Sequence, residues 1–176
     1  MLIRKRINVS IIILSYNTRD LLERCLSSLF QAETEQDRWE VIVVDNASAD
    51  GSAAAVKKGF PRVHVIENKK NLGFAAGNNI GIKKSKGNII LLLNSDTEVS
   101  VGAIQETVSY LDHHPKVGVV TCKLIRPDGS MDPACHRGFP TPGAALAYFS
   151  GLEKIFPTIS LFGGYHQGYK DFSQPH

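Results

Sequence analysis

Short aliphatic runs alternate along this chain with stretches of helical period, and that alternation narrows the fold more than any other feature. "INVSIIIL" (7–14), "WEVIVVD" (39–45), "PRVHVIEN" (61–68) and "NIILLL" (88–93) have the length and composition of strands. Runs apolar on both faces belong to sheets covered on both sides, and such sheets are usually parallel. Between the first two runs, "NTRDLLERCLSSLF" sets Leu21, Leu22, Cys25, Leu26 and Leu29 on one helical face, with Asn17 or Thr18 as the cap. "SADGSAAAVKKGF" reads as a shorter helix closed by Gly59. From Gly73 to Lys86 the spacing predicts a helix with a small face of Gly73, Ala76, Gly77, Ile80 and Gly81, able to approach a sheet closely and ended by Gly87. A helix from about 101 to 112 and a strand at 117–122 complete the series, and "RPDGS" (126–130) is a turn. The expectation is an α/β fold with a mostly parallel sheet flanked by helices. Ile89–Leu93, apolar on both faces, is expected at the sheet centre.

Composition removes several classes of function. A net charge of +3 with scattered lysines gives no footprint for nucleic acid. Arg4-Lys5-Arg6 reads as a solvated terminus. No apolar run reaches the ~20 residues of a membrane span. No secretory segment with a cleavage site is recognised, so the cytoplasm is the expected compartment, and any membrane association is peripheral, at its inner face. Cys25, Cys122 and Cys135 contain no CxxC pair. Cys25 and Cys122 read as core, and neither Cys135-His136 nor His113-His114 has the second pair a zinc site needs.

The strand ends are polar in a shared way. The first run ends in Ser15-Tyr16-Asn17, the second in Asp45-Asn46 and the fourth in Asn94-Ser95-Asp96, while "NLGFAAGNN" (71–79) places a glycine and several amides at a helix start. Each end alone could be a helix cap. Together they point to one pocket, because ligands of open α/β sheets sit at the carboxyl ends of the strands.

The pocket is not a dinucleotide site, because the first glycine of the chain is Gly51, too late for the first strand-to-helix turn. There is no GxxxxGK[ST], no DxDxT after the first strand and no lysine-bearing glycine loop of the nucleotidyltransferase kind. A nucleotide held by side chains fits what remains. Asp45 can accept the imide N–H of a pyrimidine, and Tyr16 can stack on the base. A diphosphate without a lysine loop needs a divalent cation, Mg²⁺ or Mn²⁺, for which Asp96 is the natural ligand.

"VSIIILSYNTRDLLERCLSSL", "VIVVDNASADGS", "NLGFAAGNNIGI" and "LLLNSDTEV" resemble the nucleotide-binding half of family 2 glycosyltransferases of the GT-A fold, and within it the rhamnosyltransferase-like branch that builds surface polysaccharides. The likeness covers about residues 7–142, including "PDGS" and "FPTP". It implies transfer of a sugar, with inversion, from a UDP- or dTDP-sugar to a polysaccharide, a glycan or a lipid-linked glycan. By position it implies that Ser15, Tyr16 and Asp45 hold the nucleoside, that Asn71, Gly73 and Asn78 line its ribose and diphosphate, that Asn17, Asn46, Asn94 and Ser95 also belong to the nucleotide site, and that Asp96 is the metal-binding carboxylate. Asn94 stands where the fuller motif has Asp, which weakens the metal site, and Glu98 reads as surface. A non-catalytic nucleotide-binding or interaction module is the alternative.

The same resemblance implies a nucleotide-sugar domain over residues 1–126 and an incomplete, loop-rich start of an acceptor side over 127–176, where six of the eight prolines and eight of the fourteen Phe, Tyr and Trp fall. In the family the general base lies well downstream of "FPTP". It is therefore expected beyond residue 176, with no match at Asp128, Asp132, Glu153 or Asp171. A tail lacking its packing partner is expected either to form a homodimer or to stay partly mobile.

Overall fold

A computed structural model describes residues 8–34, 39–132, 135, 138–167 and 170. Arg4-Lys5-Arg6, His136 and Asp171 lie outside the described residues. The chain forms two compact units, Met1–His113 and His114–His176.

The first unit follows the predicted alternation: β1 (Val9–Ser15), α1 (Arg19–Ala32), β2 (Trp39–Asp45), α2 (Ser52–Gly59), β3 (His64–Glu67), α3 (Phe74–Lys84), β4 (Ile89–Asn94) and α4 (Ala103–His113). The strands make one parallel sheet in the order β3-β2-β1-β4. The first three strands step one way across the sheet and β4 returns to the other side of β1. The switch point, where α/β sheets open a ligand crevice, therefore lies between β1 and β4.

On one face Val9, Ile11 and Ile13 of β1 and Val41 and Val43 of β2 meet Leu22, Cys25, Leu26 and Leu29 of α1, Val56 of α2 and Ile104 of α4. Each fully buried Leu or Ile here is worth about 1.5–3 kcal/mol. The face of α1 is rotated slightly from the expected one: Leu21 is exposed and Ala32 is buried. On the other face Ile12, Ile42 and Val44 form a smaller core. There α3 packs on β1 and β2 through Gly77 and Gly81. A Cβ on Gly81 would lie 2.5 Å from Ile12 Cγ2 and 3.3 Å from Val44 Cγ2, and one on Gly77 would lie 2.4 Å from Leu14 Cδ1. The small face is thus real, but narrower than the spacing suggested, since Ala76 is exposed and Gly73 precedes the helix.

Two expectations are corrected. β4 is not the centre of the sheet. Among the described residues it pairs with β1 alone. Ile89, Leu91 and Leu93 pack into the larger core, but Ile90 and Leu92 are exposed, because α3 covers β1 and β2 instead. β1 and β2 are the deeply buried strands. The run 117–122 forms no strand: Val119 is 89% exposed and Cys122, expected in a core, is only half-buried.

In the second unit the "RPDGS" turn closes an antiparallel bridge between Ile125 and Met131, with Gly129 in the left-handed region. Where loops were expected, two short helices form, α5 (Pro142–Phe149) and α6 (Leu152–Ile155). Thr141 caps α5 by accepting the Ala144 N–H, and Pro142 fits the first turn because its missing N–H would have no helical partner there.

Gly81→Ala should destabilise the first unit by about 1–3 kcal/mol, as overpacking of a tight core does. Chemical denaturation measures this, and an unchanged midpoint would show that α3 does not rest directly on Ile12.

Candidate functional site

Parallel register brings the polar strand ends to one edge of the sheet. Ser15 lies opposite Asp45, and Leu14 lies opposite Asn94. Each strand therefore turns polar at the same level, and Tyr16, Asn46 and Ser95-Asp96 come directly after.

Ser15 and Ser95 are buried and joined through Thr18. Ser15 Oγ and Thr18 Oγ1 are 3.0 Å apart, and Thr18 Oγ1 donates to Ser95 Oγ at 3.0 Å. Thr18 is the residue before α1, yet its hydroxyl makes no cap bond. The helix start is held instead by Asp50, whose Oδ2 accepts the Arg19 N–H at 2.9 Å. Burial pushes the Asp50 carboxyl up, but hydrogen bonds from the Ser52 hydroxyl and amide and from the Arg19 amide outweigh it and hold the carboxyl below its ordinary range. A second tie joins the same loops. Asn17, itself at φ 54°, accepts the Ala49 N–H through Oδ1 at 2.8 Å, and its own N–H donates to Ser48 Oγ at 2.9 Å. Between these ties Ala47 sits at φ 67°, a conformation that costs a non-glycine residue about 1–2 kcal/mol and persists only because neighbours impose it.

Asp45 is 3% exposed. Its Oδ2 accepts the Ser48 N–H at 3.0 Å, while Oδ1 is buried with no hydrogen-bond partner among the described residues. A buried carboxylate oxygen left bare costs free energy unless a donor arrives, so the geometry suits an N–H brought by a ligand. Tyr16 is 49% exposed, leaving a ring face open for stacking. Asn46 and Asn71 belong to a hydrogen-bonded loop around Gly73, which has φ 79° and ψ 177° and precedes α3. Asn78 is buried, and its Nδ2 donates to the Phe74 carbonyl one turn back, bracing the start of α3.

At the end of β4, Asn94 and Asp96 are exposed, and a turn closes with the Thr97 N–H on the Asn94 carbonyl at 3.2 Å. Beneath it, Cys25 Sγ donates to the same carbonyl at 3.6 Å. Burial pushes the Cys25 thiol up to about 12, and the charges of Asp96 and Glu98 push the same way, so it stays a protonated core residue. Glu98 is exposed, 3.9 Å from Arg24 on the side of α1.

No group of three or more His, Cys, Asp or Glu able to hold a metal exists among the described residues. A single exposed carboxylate fits a cation that arrives with its ligand, since Mg²⁺ is typically held by one or two carboxylates with phosphate oxygens and water completing its shell. Of the downstream carboxylates, Asp128 Oδ1 accepts the Ser130 amide and hydroxyl, and Asp132 lies 3.4 Å from Arg126. Glu153 is buried against the His166 N–H and Nδ1.

Sequence reasoning missed Thr18, Ser48, Asn68 and Asp50. For Ser48 and Asp50 the dense Asn, Ser and Asp of "DNASADGS" (45–52) was the available signal, while Thr18 was read only as a cap and Asn68 only as the end of a strand; only the fold shows that they bond across loops.

These features define a parallel α/β domain whose polar strand ends gather along one edge beside the switch point. The family model for glycosyl transferase family 2 matches residues 10–171, and the chain belongs to that family. It is 37% identical over 100 residues to a poly(ribitol-phosphate) beta-glucosyltransferase of Bacillus spizizenii, covering 54% of this chain and 16% of that protein. The structure is similar to the mannosyltransferase PcManGT of Pyrobaculum calidifontis in complex with GDP-Man and Mn²⁺, with TM-score 0.62 and 28% identity, over 71% of this chain and 37% of that one. S. aureus TarS in complex with UDP-GlcNAc has TM-score 0.56 at 24% identity over 61% of this chain and 32% of that one, a likeness of fold alone. The chain spans less than half the length of each of these relatives, and its sheet has the GT-A arrangement.

Thr18→Val removes the hydroxyl that both Ser15 and Ser95 use, leaving buried groups unpaired at a cost of about 1–3 kcal/mol. Thermal unfolding should show a lower midpoint, and an unchanged one would mean that the hydroxyl chain holds nothing.

Proposed function

We propose that this chain carries the donor-binding part of a glycosyltransferase that moves a sugar, with inversion, from a UDP- or dTDP-sugar to a glycan or lipid-linked glycan acceptor. The observation that carries the reading is the buried, unpartnered Oδ1 of Asp45 at a strand end beside the switch point. A pyrimidine imide N–H satisfies that oxygen, and the Tyr16 ring stacks on the base. Asn17 and Ser48 fix the loop beneath the base. Gly73, with no side chain, lets backbone near the diphosphate. Asp96 would hold Mg²⁺ or Mn²⁺, which supplies positive charge to the leaving diphosphate. With the donor so held, the acceptor hydroxyl attacks the anomeric carbon from the opposite face. The new C–O bond forms as the bond to the diphosphate breaks, and the hydroxyl proton passes to a base.

The donor side is assigned to residues 1–126 and the start of the acceptor side to 127–176. No helix among the described residues is long and apolar enough to cross a membrane. Work at the inner face of the cell membrane as a peripheral protein is part of the proposal. So is a homodimer, supported by the exposed Phe139, Leu146, Phe149 and Leu161.

Asp45→Ala should weaken UDP and dTDP about tenfold, the worth of one hydrogen bond to a charged group. Tyr16→Ala should weaken them by the ~1–3 kcal/mol of a base–aromatic stack. Calorimetry that finds parental affinity in both variants would remove the base site. Separately, UDP at a hundredfold its dissociation constant should stabilise the parent by about 2.7 kcal/mol. The stabilisation should be larger with Mn²⁺ than with chelator, and Asp96→Ala should erase only that difference. Donor turnover would separate a transferase from a module that only binds nucleotide.

A further inference from the structure

Asn46 is the next residue after the base-binding candidate Asp45 and is 2% exposed. Its side chain makes four hydrogen bonds. Nδ2 donates to Asn71 Oδ1 at 2.9 Å and to the Gly73 carbonyl at 3.4 Å. Oδ1 accepts from Asn68 Nδ2 at 3.0 Å and from the Leu72 N–H at 3.1 Å. The orientation of the amide is dictated by its partners, because the Leu72 N–H must face an oxygen and the Gly73 carbonyl must face an N–H. Four bonds exhaust an asparagine side chain, so nothing is left for a ligand. Asn71 extends the same lattice, its Oδ1 also accepting the Gly73 N–H at 2.8 Å. The backbone completes it: the Asn46 N–H donates to the Ser15 carbonyl at 2.8 Å, and the Asn68 N–H donates to the Asp45 carbonyl at 2.9 Å.

We infer that Asn46 is a positioning residue: its saturated amide locks the 68–73 loop, and with it the Gly73 turn that starts α3, to the strand end that carries Asp45. This rests on the donor-site reading above and adds a division of labour within it. Asp45 meets the base, while Asn46 touches no part of the nucleotide and sets the backbone that meets the diphosphate. The neighbouring carboxamide and carboxylate thus link the two ends of one ligand. Asn46→Asp tests this with almost no change of shape. It keeps an oxygen for Asn68 and Leu72, but turns the donor to Asn71 and Gly73 into an acceptor facing acceptors.

The test compares UDP with uridine, which lacks the diphosphate, on the full chain by calorimetry or NMR titration with Mn²⁺ present. Asn46→Asp should weaken UDP about tenfold and leave uridine within about twofold, the signature of a lost hydrogen bond acting at the phosphate end only. Amide hydrogen exchange at Leu72 and Gly73 should quicken, with Val43 and Val44 unchanged. Asn71→Ala, on the exposed loop, removes the partner from the other side and should give the same split even if Asn46→Asp folds poorly. Asp45→Ala separates the two ways to fail. If it weakens both ligands while the Asn46 and Asn71 variants weaken both equally or neither, the base site stands and the positioning role is overturned. If Asp45→Ala changes neither ligand, the donor-site reading is wrong and the inference falls with it.

Discussion

Parallel register is the constraint on which the rest of this structure depends. With Ser15 opposite Asp45 and Leu14 opposite Asn94, the strands stop being apolar at one level, and the polar residues at their ends gather along one edge. The hydrophobic effect sets that register, because a one-residue slip would turn the buried face of β1 or β2 toward the wrong core. The site is thereby a by-product of packing: aliphatic side chains fix the strands, and the strands deliver Asp45 and Asp96 to their places.

In the proposed reading, the strand-end site is tied down by hydrogen bonds on the base side and exposed on the diphosphate side. On the proposed base side, Asn17 and Ala47 hold left-handed backbone beside cross-loop hydrogen bonds, and Thr18 links Ser15 to Ser95. At the other end Asp96 is exposed and belongs to no metal-holding cluster among the described residues. That asymmetry suits a ligand whose base must be recognised by shape and whose diphosphate brings its own cation. It also explains why one oxygen of Asp45 can stay bare: the loop ties leave the rest of the site satisfied, so the cost of the unpaired group is confined to a single atom that binding can offset.

Much of this was legible in the sequence because it rests on local pattern. The aliphatic runs and the Gly77/Gly81 face of α3 are periodic, and the polar strand ends are contiguous. The readings that failed depended on distant partners. "NIILLL" has the composition of a central strand, but whether Ile90 and Leu92 are covered depends on where α3 lies. The run 117–122 has strand propensity but forms no strand, and propensity alone does not supply the pairing a strand needs. Separately, no local pattern shows that the Asn46 amide is bonded on all sides by Asn68, Asn71, Leu72 and Gly73, which takes the fold to see. Helices α5 and α6 were hidden in a segment whose glycines and prolines suggest loops, although Thr141-Pro142 is a helix start by its chemistry.

The proposed site for nucleotide is the switch-point edge of the sheet. It competes with the surface groove lined by Asp20, Glu23, Arg24, Ser27 and Glu98, which lies along α1. The direct measurement is a backbone NMR titration with UDP and a divalent cation, read residue by residue. Binding at the strand ends should concentrate the shifts at residues 15–17, 45–48, 71–74 and 94–96. Shifts centred on 20–31 and 98, with the Asp45 and Ser48 amides unmoved, would contradict it.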